Sequence, residues 1–170
     1  MRRRARRSAQ PSGVTRETHM TAASIEVMLL TARDLSVLEP IEADVFDNPI
    51  ELQWAAQYLS NPGNLLAVAV QQNVVVGMAS AIAYLHPDRP LQLFINEVGV
   101  AERCQKQGVG RRLMDALLER GKLMGCTEAW VATEENNLAA RALYGAAKGV
   151  QDQARAVVYT WTLEQGEVQS

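Results

Sequence analysis

The sequence predicts a single α/β domain, and three observations carry that prediction. The apolar stretch Leu91–Ala101 runs into Gln105-Lys106-Gln107-Gly108-Val109-Gly110-Arg111-Arg112-Leu113 and on into an apolar-periodic run to Met124, the order strand, glycine turn, helix. A second strand-to-helix passage follows, Thr127–Thr133 and then a helix from Asn136 or Asn137 through Ala147. At 170 residues, 48% hydrophobic and 21% charged, the chain has enough apolar material for one full core and needs no second domain. The expected limits are residues 23–165 for the domain, a disordered basic extension over 1–22 and a polar tail over 166–170.

Taken in order, Ile25–Thr31 is β-branched and apolar and reads as the first strand. Asp34 is placed to cap a helix whose apolar positions Leu35, Leu38, Ile41 and Val45 fall near helical spacing, with Pro40 expected to kink or break it. Asn48-Pro49 opens a second helix with Leu52, Ala55, Ala56 and Leu59 on one face, ended by Asn61-Pro62-Gly63-Asn64. Leu65–Gln71 and Val74–Leu85 have strand composition and form a hairpin across Gln72-Asn73; a turn-rich loop, His86–Pro90, follows. After the central strand, the helix 109–124 buries Val109, Leu113, Ala116, Leu117 and Met124, and Gly125 caps it. Ala156–Leu163 alternates as a closing strand.

The net charge of −2 hides a split. Residues 1–19 hold six arginines and one acid, which leaves 11 basic and 18 acidic residues, a net −7, on the rest. The arginine run fits nucleic acid or anionic lipid, but a disordered leader, or initiation at Met20, is the plainer reading. The acidic body fits a cationic substrate, and many acidic proteins have no such purpose. Glu39, Glu42, Asp44, Asp47 and Glu51 gather on the two early helices, as an acidic wall or an ordinary solvated face. No run approaches the length of a membrane span and the start lacks a secretory apolar segment, so the expected location is cytoplasmic. Cys104 and Cys126 are too few for a disulfide framework, no cluster has metal spacing, and no histidine lies near Cys104 in sequence to make it a nucleophile.

Around the glycine turn the chemistry is more specific. Gly108 and Gly110 let a ligand approach the backbone, and the first turn of the next helix presents N–H groups with no internal partner, a phosphate site. A dinucleotide fingerprint would need glycine where Leu113 stands, and the Walker pattern is absent. What remains, [QR]-x-x-G-x-[GA] after a buried strand, together with Asn137-x-x-Ala140-x-x-Leu143-Tyr144, resembles the GNAT superfamily of N-acetyltransferases. The resemblance spans roughly 25–163, with sharp motifs over Asn96–Tyr144. It implies a mixed, mostly antiparallel sheet flanked by helices, with acetyl-coenzyme A as co-substrate, no metal, and a primary amine as acceptor.

On that resemblance the backbone N–H groups of Gln105, Lys106, Gln107, Gly108, Val109 and Gly110 cradle the pyrophosphate, with the side chains of Lys106, Arg111, Arg112 and Arg103 near other phosphate oxygens. Val98, Gly99 and Val100 receive the pantetheine arm, Val98 N–H facing the thioester carbonyl. Glu97, a carboxylate in an otherwise apolar strand, is the candidate general base; a buried structural Glu, or one that orders a cationic substrate, is the alternative. Tyr144 is the candidate acid for the thiolate, or a packing aromatic, and Asn137 either meets the pantetheine or caps its helix. His86 is a candidate at the rim or an ordinary loop histidine. Dimers are common in the superfamily, so a homodimer is in view; no nucleic-acid or membrane partner is implied.

The sequence also departs from the family pattern. Gln105 stands where Arg is usual, and after Tyr144 the chain is one residue longer and lacks the final aromatic. The ribosomal-protein N-terminal acetyltransferases, also similar, carry a catalytic Glu where this chain has Ala132, so that base does not transfer. The segment 86–100 with the Tyr-Gly-Ala-Ala ending looks most like the aminoglycoside 3-N-acetyltransferase subgroup, which implies a small cationic amine as acceptor. Acetylation of a protein N-terminus or lysine, and a coenzyme A-binding sensor without catalysis, are the competing functions.

Overall fold

A computed structural model describes residues 24–153 and 156–163. The expected basic extension (1–22) and polar tail (166–170) lie outside those residues. Five strands form one sheet in chain order: β1 (Glu26–Leu29), β2 (Asn64–Gln71), β3 (Val74–His86), β4 (Arg89–Val100) and β5 (Glu128–Val131). The first four pair antiparallel and β5 lies parallel to β4, so the sheet is mixed and mostly antiparallel, as expected. Gln72 and Asn73 both take positive φ at the β2–β3 hairpin, the requirement of a two-residue turn matched to strand twist.

Helix α1 (Leu52–Ser60) packs on β2, α2 (Val109–Leu123) crosses β1 through β4, and α3 (Leu138–Ala146) meets α2. The apolar stripe of α2 buries Val109, Leu113, Met114 and Leu117. On β3 beneath it, Gly77 would place a Cβ 3.3 Å from both Val109 and Leu113, and on α2 itself Gly121 would place one 2.8 Å from Leu93 of β4, which fixes this face of the sheet as the α2 side. Gly125, at φ 90°, ends α2 as expected. Among the described residues no helix is long and apolar enough to cross a membrane.

Two expectations fail. The helix expected after Asp34 is only a 3₁₀ turn over Leu35–Leu38; Asp34 Oδ2 accepts from the Thr31 N–H (2.9 Å) and hydroxyl (2.7 Å) instead of capping a helix. Beyond it the chain runs beside β3: Val75 N–H donates to Pro40 O and Glu42 N–H to Val75 O, each at 3.0 Å. Proline has no N–H for a helix to use, and the groups on either side are satisfied better by the sheet. The closing strand expected over 156–163 is absent too. Those residues have no regular structure, and Val157, Val158, Tyr159, Trp161 and Leu163 are exposed. Alternation records propensity for a pleated surface and says nothing of which edge supplies the partner.

Gly99 faces the segment before α1 at very short range, since a Cβ there would lie 2.1 Å from Val45 O. Val45 is buried, so neither side can withdraw cheaply. Gly99→Ala is expected to destabilise the fold by about 3 kcal/mol, read as a lower urea midpoint with the m-value unchanged.

Candidate active site

The turn before α2 has the backbone of an anion site. Lys106 (φ 58°) and Gly108 (φ 76°) both sit in the left-handed region, and the first helical bond is Arg112 N–H to Gly108 O at 3.1 Å. Among the described residues, none accepts a hydrogen bond from the backbone N–H groups of Lys106 to Arg111. Successive N–H groups converging at a helix start hold a diphosphate well. The side chains pin the turn: Gln105 Nε2 donates to Val100 O (3.0 Å) and Gln107 Nε2 to Arg103 O (2.8 Å). Gly110 keeps an ordinary φ; its missing Cβ makes room for Leu143 of α3, 3.3 Å from where a Cβ would lie.

The central strand opens beside this turn. β5 pairs with β4 only over Gln92–Ile95, so Asn96–Val100 has no β5 neighbour. On the β3 side the register slips by one: Ala81 faces Ile95 and Ser80 faces Glu97, leaving Asn96 as a bulge. That extra residue decides where Glu97 points. Strict alternation from Leu93 and Ile95 would send it into the α2 side; the bulge turns it to the opposite face and gives Val98 and Val100 to the α2 side. The bulge is therefore at Asn96, while Gly99 is the point of close approach to Val45 O.

Glu97 is half-buried on that open face. Burial pushes its carboxyl above the usual carboxylate range, and the nearby Asp47 carboxylate pushes the same way. Beside it, Tyr58 holds α1 to the sheet, its hydroxyl donating to the carbonyl pair of Leu65 and Ala81, each at 3.0 Å. Burial raises the Tyr58 pKa as well.

Tyr144 lies on α3, one residue past the Leu143 that packs on Gly110. It is half-buried, burial raises its pKa, and no described residue hydrogen-bonds its hydroxyl. Asn137 caps α3, with Oδ1 accepting from Ala140 N–H at 3.0 Å. The helix start is thereby satisfied by the residue that also begins the Asn-Ala-Leu-Tyr motif.

The basic and acidic candidates divide into structural and facing groups. Arg103 pairs with Glu42 (2.7 Å) and donates to Gln71 Oε1 (2.6 Å), and Asp44 Oδ2 accepts from Glu102 N–H (2.7 Å), so these tie the segment before α1 to the turn. Arg111 holds Asp115 (2.8 Å) and the Ala146 carbonyl, joining α2 to α3, and Arg112 donates to Ile25 O (2.9 Å). Of the expected acidic wall, Asp47 faces Glu97, while Glu39 and Glu51 are exposed. Cys104 is buried. His86 sits at the far end of β3, edge-on to Tyr84 at 5.4 Å. Sequence reasoning missed the grouping of Tyr84, Phe94 and Trp130 on the Glu97 face; their period-2 placement on three strands was the available signal. No group of three His, Cys, Asp or Glu among the described residues is placed to hold a metal.

A family model described as the acetyltransferase (GNAT) family matches residues 30–149. The fold is similar to an aminoglycoside acetyltransferase from an uncultured soil metagenomic sample, solved with trehalose (TM-score 0.68, 20% identity, 82% of this chain and 97% of that one). It is similar as well to the aminoglycoside N-acetyltransferase AAC(6')-Iy bound to a bisubstrate analogue, CoA-S-monomethyl-acetylneamine (0.69, 17%, 83% and 100%). A ribosomal-protein-alanine N-acetyltransferase from Brucella melitensis matches at 0.64 and 15% identity over 81% and 100%. A search of curated proteins finds no match.

Glu97 gives a stability signature. With its folded pKa raised, the native state holds the proton to higher pH than the unfolded chain does, so its effect on stability turns unfavourable as pH climbs through that window. Glu97→Gln is expected to melt higher than the wild type near pH 7, with the difference vanishing near pH 4 in paired thermal scans.

Proposed function

The chain belongs to the acetyltransferase (GNAT) family and is an N-acetyltransferase, and from that premise we propose that it acetylates a primary amine of a small cationic acceptor, an aminoglycoside, with the 3-amino group the first position to test. The observation that carries the reading is the opening of β4 from β5 past Ile95, with Glu97 on its open face and, at its end, the N–H run of Lys106–Arg111, which has no acceptor among the described residues. Acetyl-coenzyme A supplies the acetyl group as a thioester when bound. The N–H groups and Gly108 turn suit its pyrophosphate, and Val98-Gly99-Val100, paired with β3 on one side and open on the β5 side, suits the pantetheine as an added strand would. Lys106, Gln107 and Val109 belong to the same cradle. Arg111 orders the cradle through Asp115 and Ala146, and Asn137 through the start of α3.

Glu97 takes a proton from the substrate ammonium, directly or through one water, so that the amine can attack. Its raised pKa makes it a stronger base than an ordinary carboxylate, and Asp47 beside it helps to hold the cation. Val98 N–H polarises the carbonyl oxygen, and Tyr144, kept protonated by burial, gives its proton to the departing sulfur. The acidic body, net −7 outside residues 1–19, draws a cationic acceptor to this face.

Thiol release with acetyl-coenzyme A, run against aminoglycosides, linear polyamines and short peptides, tests the reading. Glu97→Gln and Tyr144→Phe are each expected to lower kcat by on the order of 100-fold with KM for acetyl-coenzyme A unchanged. Wild-type kcat/KM is expected to rise with pH through a pKa above the usual carboxylate range, and Glu97→Gln to lose that limb. Coenzyme binding with no turnover of any amine would replace catalysis with a sensor role, and turnover confined to peptides would move the acceptor to a protein amine.

A further inference from the structure

The sheet face that carries Glu97 continues away from the glycine turn into an aromatic basin. Ile82, Tyr84, His86, Phe94 and Trp130 line a cavity of about 330 Å³, within the range of small-molecule sites. Trp130 is 44% exposed and lies against Phe94, ring centroids 4.4 Å apart and planes at 36°. An exposed indole is ordinarily free to swing. This one is held by a one-way chain of donors: Trp130 Nε1–H to the Tyr84 hydroxyl (2.8 Å), that hydroxyl to Gln92 Oε1 (3.0 Å), and Gln92 Nε2 to the Glu128 carboxylate. Gln92 is buried, so breaking the chain would strand its amide. The network joins three strands and fixes the ring while leaving it partly exposed. A large apolar group that is both exposed and oriented suits a ligand better than it suits the core, which lies across the sheet.

Position and charge narrow the ligand. With Asn96 bulged out, Phe94 and Glu97 share a face with roughly 10 Å of strand between them. Carboxylates stand at both ends, Glu97 and Asp47 at one and Glu128 at the other. An indole face attracts a cation, and a flat apolar ring face packs on it. We propose that the basin is the second-ring subsite of the acceptor: one ring of an oligocationic aminosugar lies on Trp130 and Phe94 with an ammonium over the indole, while the reacting amine of the other ring meets Glu97. The proposal rests on the acetyltransferase reading and selects ring-bearing oligoamines over linear polyamines and peptides.

Neamine, a two-ring aminoglycoside, and spermidine, a linear polyamine, separate the possibilities. In ¹⁵N-labelled protein, with the Trp130 indole N–H signal assigned through Trp130→Phe, neamine is expected to shift that signal saturably and spermidine to leave it in place. In turnover, Trp130→Ala is expected to raise KM for neamine roughly tenfold, with kcat and KM for acetyl-coenzyme A within twofold, and Trp130→Phe to recover most of the loss. Equal neamine KM in wild type and Trp130→Ala would overturn the subsite while leaving the acetyltransferase reading intact. A Trp130 signal that moves with protein concentration alone would also overturn it, by showing that a second copy covers the basin. A saturable neamine shift without turnover would keep the subsite and remove catalysis.

Discussion

Everything at the candidate site depends on how the central strand is paired. β4 shares four residues with β5 and then loses it, and on its other side it carries one extra residue at Asn96. Full pairing would have satisfied the backbone from Asn96 to Val100 and left nothing for a ligand to add. Strict alternation would have aimed Glu97 at the α2 side, where an ionised carboxylate without a partner costs several kcal/mol. Partial pairing and one bulge together produce an open backbone edge with a half-buried carboxylate facing the other way.

The rest of the chain divides its labour across the sheet. One face is sealed by α2, whose Val109 and Leu113 fit over Gly77 and whose own Gly121 admits Leu93. The opposite face is covered only in part, by Val45 against Gly99 and by Tyr58 reaching two strand carbonyls. What it leaves uncovered is polar and aromatic, and runs from Asp47 and Glu97 to Trp130. Apolar packing is therefore concentrated on one side and the candidate base, Glu97, on the other. The ion pair of Arg103 with Glu42 belongs to the first task although both residues stood among candidates for the second. Because both groups are partly exposed, its value lies more in fixing the turn beside the segment 41–47 than in raw energy.

Electrostatics points the same way. The α2 start offers N–H groups and partial positive charge for an anion, while the face across the sheet gathers carboxylates. An anionic coenzyme and a cationic acceptor would each find the field they need, approaching the gap between β4 and β5 from two sides. Burial is the main cause of the raised pKa values of both Glu97 and Tyr144, with Asp47 adding to the first, and the proposed mechanism would use them in opposite ways, one as proton acceptor and the other as proton donor.

The sequence by itself determined the α/β class, the strand–turn–helix at Gly108, the Gln72-Asn73 hairpin and a helix beginning at Asn136 or Asn137, because each is written in local rules: turn-forming residues, capping residue types, and periods of 2 or 3.6 residues; that Asn137 is the cap came from the structure. It also singled out Glu97 as an expensive carboxylate. It misjudged the stretch after Asp34 and the closing segment 156–163, since helical spacing across Pro40 and alternation without an edge are local signals that a distant partner, Val75 in the first case, either overrides or fails to supply. Which face Glu97 takes, that Arg103 and Arg111 are bound within the fold, and that Tyr84, Gln92, Glu128 and Trp130 form one chain across three strands were decided only by the tertiary structure. Register between strands far apart in sequence is set by the whole sheet, and a single bulged residue reverses every direction that alternation predicts.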